Sequence, residues 1–182
     1  MIPYFEKFPT IGYDINGSGE KQIAIDILER IKIRDVLKQN WLIFYKYAVK
    51  DGETPEMLAS KLYGDPRYHW IILLANNIVD PYYDWPMSND NLIATIRKKY
   101  GTPQMDGLIY AYQNIYHYID SYGNVIDLET YTSLPANQRT AVTVYDWEVS
   151  QNEAKREITL LDPSYVEQID TEADKILAQI LV

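Results

Sequence analysis

The chain has 182 residues, 47% apolar and 24% charged, and a formal net charge of −9. That apolar share supports a packed core and excludes disorder as the main state. The surplus of carboxylates argues against nucleic-acid binding, which draws on clustered Lys and Arg, and the absence of cysteine removes disulfides, thiol nucleophiles and Cys-based zinc sites.

The opening MIPYFEKFPT lacks the basic-then-apolar order of a secretory signal. No apolar run approaches the ~20 residues of a membrane span. The expectation is therefore a chain made and folded in a cytoplasm, with no membrane partner. Residues 1–21 hold two Pro, three Gly and no sustained period, and are expected to form a loosely ordered arm. Gly17-Ser18-Gly19 lacks the Gly-Lys-Ser/Thr of a phosphate loop. Ile23, Ile25, Ile27, Ile31 and Ile33 fall on odd positions and favour a strand, although Ile27, Leu28 and Ile31 also fit a helical stripe. Such a strand beside an arm can pair in its own sheet, the plainer reading, or add to a neighbour's sheet edge.

From Tyr45 the pattern sharpens. Tyr45, Tyr47 and Val49 alternate with Lys46, Ala48 and Lys50, as in a strand with one buried face, and Asp51-Gly52 breaks it. Thr54-Pro55-Glu56 is a helix start: hydroxyl cap, Pro in the first turn, an acid at the positive end of the dipole. Gly64 can close that helix in the left-handed conformation. Asp65-Pro66 repeats the start, and the next helix is apolar nearly all round (Tyr68, Trp70, Ile71, Ile72, Leu73, Leu74, Ala75) until Asn76-Asn77 stops it. After the aromatic loop Asp80–Pro86, Ser88 caps a helix carrying Leu92, Ile93, Ile96 and Tyr100. Arg97-Lys98-Lys99 at its end suits the helix dipole better than a contact site.

Beyond Gly101, Leu108–Tyr112 and Ile115–Ile119 are aromatic-rich strand candidates, and Tyr122-Gly123-Asn124 is a turn into Val125-Ile126. Leu134–Arg139 reads as a polar loop. Ala141–Val149 alternates enough for a strand, with a helix as the alternative, and Ile158, Leu160 and Leu161 make its expected partner strand. Asp162-Pro163 starts a final helix whose stripe is Val166, Ile169, Ala173, Ile176, Leu177 and Ile180, opposite an acidic face of Glu167, Asp170, Glu172 and Asp174.

No catalytic, cofactor or metal constellation stands out. His69 and His117 sit among aromatics and read as packed side chains; there is no zinc-protease, serine-elbow or Walker motif. Asp80 and Asp84 suggest the carboxylate pair of a glycosidase, but in a Pro-bounded loop Asp more often caps backbone N–H groups. Glu53 is read as a turn residue ahead of a helix. The compositional outlier is tyrosine, 17 residues beside four Trp and three Phe. Tyr63, Tyr68, Tyr82, Tyr83, Tyr110, Tyr112, Tyr116, Tyr118 and Tyr122 exceed what one small core absorbs, and Tyr and Trp are enriched in protein interfaces.

The strand-turn-helix-helix order over Tyr45–Asp80, entered by Gly-Glu-Thr and closed by Asn, is similar to a LysM module, whose closing Pro-Gly turn and second strand it lacks at that point. The phrases GDP..HW and DPYYDWP, with YDWE at Tyr145–Glu148 and NEAKREITLL at Asn152–Leu161, resemble the LysM-like baseplate wedge subunits of contractile-tailed bacteriophages. That resemblance implies an α+β fold: an N-terminal arm and strand (1–40), a LysM-like strand-helix-helix core with a following helix (41–100), an antiparallel β region (101–161) and a C-terminal amphipathic helix (162–182). It implies a non-enzymatic virion component assembled in the host cytoplasm, present in multiple copies around the tail axis. Its partners would be other wedge proteins, the central hub and sheath-initiating proteins. The residues expected at protein interfaces are Tyr68, Trp70, Tyr82, Tyr83, Trp85, Tyr116 and Tyr118, with Trp85→Ala expected to leave the isolated chain folded. The alternative is a LysM-type peptidoglycan-binding module, using the loops Gly52–Thr54 and Asn77–Asp80.

Overall fold

The computed structural model describes residues 8–26 and 43–179. They form mixed helix and sheet, and cluster into two compact units. One holds 8–26, 43–48, 53–84 and 158–179; the other holds 49–52 and 85–157.

The first unit begins with a hairpin, β1 (Thr10–Tyr13) paired antiparallel to β2 (Gln22–Ile25); β1 falls where a loosely ordered arm is expected, and β2 covers the start of the expected strand. The Asp14 carboxylate organises its loop by accepting the N–H groups of Asn16, Ser18 and Gly19, and these bonds hold its pKa below the ordinary value. The stretch expected to continue the strand through Ile27, Ile31 and Ile33 lies outside the described residues.

Strand β3 (Phe44–Ala48) leads to helix α1 (Pro55–Tyr63), a 3₁₀ turn (Pro66–Tyr68), α2 (His69–Ala75) and the one-turn α3 (Pro81–Asp84). The expected alternation holds at Tyr47, half-buried, and Val49, buried; Tyr45 lies exposed. The local signals act where they stand. Thr54 Oγ1 accepts the Met57 N–H, Pro55 occupies the first turn, and Gly64 takes φ 77° as the left-handed cap. Asp65 caps the 3₁₀ turn through the Arg67 N–H. Leu58, Ile71, Ile72, Leu160 and Leu161 are fully buried.

The partner of β3 is β7 (Glu157–Leu161). Backbone bonds from Asp162 N to Ile43 O (2.7 Å) and from Val49 N to Arg156 O (2.9 Å) mark its two ends and an antiparallel sense. This corrects the expectation that Ile158–Leu161 pairs with the strand just before it. Asn76 joins α2 to β7: its amide donates to Ile72 O and Thr159 O (2.8 Å each) and accepts the Thr159 N–H (2.7 Å). Tyr63 Oη donates to Leu161 O, and burial pushes its phenol pKa upward. Asn77 then takes φ 55°, ending α2 as its sequence suggests. A 3₁₀ turn capped by Asp162 leads into α8 (Val166–Gln179), with Val166 and Ala173 buried, Ile169 half-buried and Ile176 exposed. Leu177 and Ile180 of the expected stripe lie outside the described side chains.

The second unit packs α4 (Asn89–Tyr100), α5 (Gly107–Gln113) and α7 (Val144–Glu153) around Leu92, Ile96, Ala111 and Val144. Ser88 caps α4 by accepting the Asn91 N–H. A three-stranded antiparallel sheet in the order β5-β4-β6 is built from β4 (Ile115–Asp120), β5 (Val125–Ile126) and β6 (Arg139–Thr143), with α6 (Leu128–Ser133) between the last two. Two expectations change here. Leu108–Tyr112 is helix, started by Asp106, whose carboxylate accepts the Leu108 N–H. Ala141–Val149 divides at Thr143, which ends β6 and caps α7 by accepting the Asp146 N–H. Buried Asn152 ties α7 to the chain ahead of α4, accepting from Met87 N (2.7 Å) and donating to Met87 O (3.0 Å).

Glycine decides one contact. A Cβ on Gly107 would collide with the carbonyl oxygen of Arg97 and the amide of Gly101, so the start of α5 approaches the end of α4 backbone to backbone.

Candidate protein-interaction surfaces

The loop richest in aromatics divides by exposure. Asp80 Oδ1 accepts the Tyr82 N–H, and Asp84 Oδ2 accepts the N–H groups of Val79 and Asp80, which winds Pro81–Asp84 into one helical turn. That turn puts Tyr82 and Tyr83 outward, 87% and 70% exposed, beside exposed Val79. Trp85, one residue past the turn, is only 6% exposed. Tyr68 and Trp70, on the 3₁₀ turn and α2, are also buried. These three rings therefore serve the interior of the chain, and the expectation that Trp85→Ala leaves the fold intact is revised. Carboxylates Asp80 and Asp84 are occupied by backbone donors, the turn-capping role expected of them.

In the second unit the tyrosines stack on one another. Tyr112 lies on Tyr145 (centroids 4.2 Å apart), Tyr116 on Trp147 (4.7 Å), and Tyr118 against Tyr131 (4.3 Å), which in turn carries the Arg139 guanidinium at 4.8 Å. His117 meets Trp147 edge-on at 5.3 Å, a packed side chain. His69 in the first unit reaches Pro66 O through Nδ1. Tyr116 is half exposed, whereas Tyr118 is partly covered. Ile109, Tyr112 and Ile115 are likewise exposed. The helix α5 carries two of these residues, and the cap signal Asp106-Gly107 was the sequence feature that could have located them.

Rigid support comes from α4 and α7. Lys99 Nζ and Tyr100 Oη both donate to Glu148 Oε1 at 2.6 Å. Burial alone would raise the Glu148 carboxyl pKa, but these two donors outweigh it and hold it below the ordinary value. Arg97 faces Asp106 at 3.6 Å. Two members of the basic trio thus have carboxylate partners within the unit.

The loops named for glycan binding are engaged internally. Glu53 accepts from Tyr47 Oη (2.9 Å) and Lys61 Nζ (3.3 Å), Thr54 caps α1, and Asp80 caps its turn. The adjoining open groove of about 520 Å³ has the paired Glu53 and Lys61 on its wall with Met57 and Pro66. Among the described residues no group of His, Asp and Glu is placed to hold a metal ion, and no helix is long and apolar enough to cross a membrane.

Outward aromatic rings on a capped turn suit binding to protein. The comparisons agree in kind. The chain is similar to baseplate wedge protein gp53 of Enterobacteria phage T4, 26% identical over 142 residues that cover 72% of each protein. Residues 4–173 match the family model described as Base plate wedge protein 53. The chain belongs to that family and is a structural baseplate wedge subunit of a contractile-tailed bacteriophage.

Proposed function

We propose that the protein joins neighbouring wedge and hub proteins, with sheath-initiating proteins, during tail assembly in the host cytoplasm. It holds them through several small aromatic patches. The observation that carries this reading is the pair Tyr82 and Tyr83, two large rings held outward on a carboxylate-capped turn. Tyr is a frequent interface anchor because it offers much area for little lost conformational freedom. Tyr116, with Ile109, Tyr112 and Ile115, is the second patch. Of the remaining interface candidates, Tyr118 lies at the margin of this patch, while Tyr68, Trp70 and Trp85 act indirectly by shaping the scaffold.

We further read β3, α1, α2 and β7 as the LysM-like part. The closing strand missing from the local sequence is then delivered after the intervening unit, by residues 157–161. In this chain that scaffold works as a protein joint. The test is a mixture of purified wedge and hub proteins with the wild-type chain or with Tyr82→Ala/Tyr83→Ala, analysed by size-exclusion chromatography with light scattering. Loss of the larger complex, with an unchanged circular dichroism spectrum, supports the reading. A variant that assembles like wild type overturns it.

A further inference from the structure

The hairpin β1–β2 has no role in the surfaces described above, yet Ile11, Tyr13, Ile23 and Ile25 on it are all exposed. Its register pairs Thr10 with Ile25, Ile11 with Ala24, Gly12 with Ile23 and Tyr13 with Gln22. The backbone bond from Asp26 N to Pro9 O (2.7 Å) marks that neighbouring pair as hydrogen-bonded. Because bonded and non-bonded pairs alternate in an antiparallel ladder, Ile11/Ala24 and Tyr13/Gln22 are bonded inward. The backbone groups of Ile23 and Ile25 consequently point away from β1, along the outer edge of β2.

Among the described residues no third strand lies on that edge. The side chains of Ile23 and Ile25 share one face and are 84% and 43% exposed. Ile11 and Tyr13, also exposed, lie on the other face. A two-stranded ribbon is at best marginally stable alone in water, and an apolar free edge invites another strand.

We propose that the outer edge of β2 accepts an edge strand from a neighbouring baseplate protein, extending the hairpin into an intermolecular sheet through Ile23 and Ile25. This rests on the baseplate reading and names one of its joints. A second copy of this chain is the poorer occupant. The two strands of the hairpin offer four exposed apolar side chains spread over two faces, too little to supply the ~800 Å² per partner of a stable interface on their own. Such a contact suits a neighbour already held by other patches, for which main-chain bonds supply the register and the two isoleucines the apolar cover.

Amide hydrogen exchange on the full-length chain, free and in purified assembled tails, tests this without substitution. The Ile23 and Ile25 amides are expected to exchange rapidly in the free protein and at least tenfold more slowly in tails. If the chain is present in tails and those amides exchange as they do when free, the strand-addition inference fails and the baseplate reading stands. If the chain is absent from tails, both fail. Protection in the free protein that grows with concentration would identify a second copy and also overturn the proposal. As a second arm, Ile23→Pro removes the outward N–H while sparing the bonds to β1, and Ile23→Ala keeps it. Incorporation into tails is expected to fall at least tenfold for Ile23→Pro and clearly less for Ile23→Ala; equal incorporation of the two would overturn the role of the backbone edge.

Discussion

Tyr82 and Trp85 stand three residues apart in one loop and have opposite fates. Truncating Trp85, which is buried, removes a large ring from a packed site, so Trp85→Ala is expected to cost about 3–5 kcal/mol, read as a shifted denaturant midpoint. Tyr82→Ala/Tyr83→Ala removes two exposed rings and should change stability by about 0.5 kcal/mol or less per site while weakening assembly. The comparison separates a scaffold residue from a contact residue by two measurements on the same loop. Sequence composition ranks these rings equally, because both kinds are aromatic and Pro-flanked. What sorts them is the direction the chain takes after Asp84, which is set by the carboxylate-capped turn. Gly107 makes the complementary point. Gly107→Ala drives a methyl group into two backbone atoms that cannot rotate away, and a loss of at least about 2 kcal/mol is expected in thermal unfolding.

At the scale of elements, much was legible where the signal is local. The caps at Thr54, Asp65, Ser88 and Asp162, the left-handed Gly64 and the turn before Val125 all lie within a few residues of the structure they direct. Two elements run against their local composition for physical reasons. Leu108–Tyr112 has strand-like composition, but Asp106 supplies a helix cap and α5 buries Ala111 against α4 and α7. The partner of β7 lies over a hundred residues earlier in the chain, and no local pattern encodes such a pairing. Asn76 secures that distant join by matching both backbone groups of Thr159, so Asn76→Ala should destabilise the chain by about 2–3 kcal/mol in denaturant titration, having left a donor and an acceptor of β7 unpaired. The α4–α7 contact has a pH signature. Glu148 has a folded pKa below its ordinary value of 4.5, so its contribution is fully present above that value and is lost as pH falls through the depressed folded value. Melting temperature should drop below about pH 4.5 in wild type, and Glu148→Gln should flatten that part of the profile.

For the whole molecule, the surfaces proposed here are individually small, and their effect depends on being carried together. A subunit already held at one patch meets the next partner at high effective concentration. Removing the Tyr82/Tyr83 patch or the Tyr116 patch alone is expected to weaken assembly by about tenfold. Removing both should reduce it multiplicatively, as measured by the wedge-protein concentration needed for half-maximal complex formation. The division into two units has a further consequence for how this protein comes into being. Residues 49–52 belong with 85–157, and 158–179 belong with the chain's earlier part, so the first unit is not a continuous stretch. A ribosome delivers the N-terminal end first, yet β3 waits for β7, which is translated over a hundred residues later. The intervening unit can close while synthesis continues, but the first cannot be completed until residue 161 has emerged. A message truncated before that point would yield a polypeptide whose bystander half folds and whose flanking half exposes Leu58, Ile71 and Ile72, a substrate for host chaperones and proteases instead of a tail component.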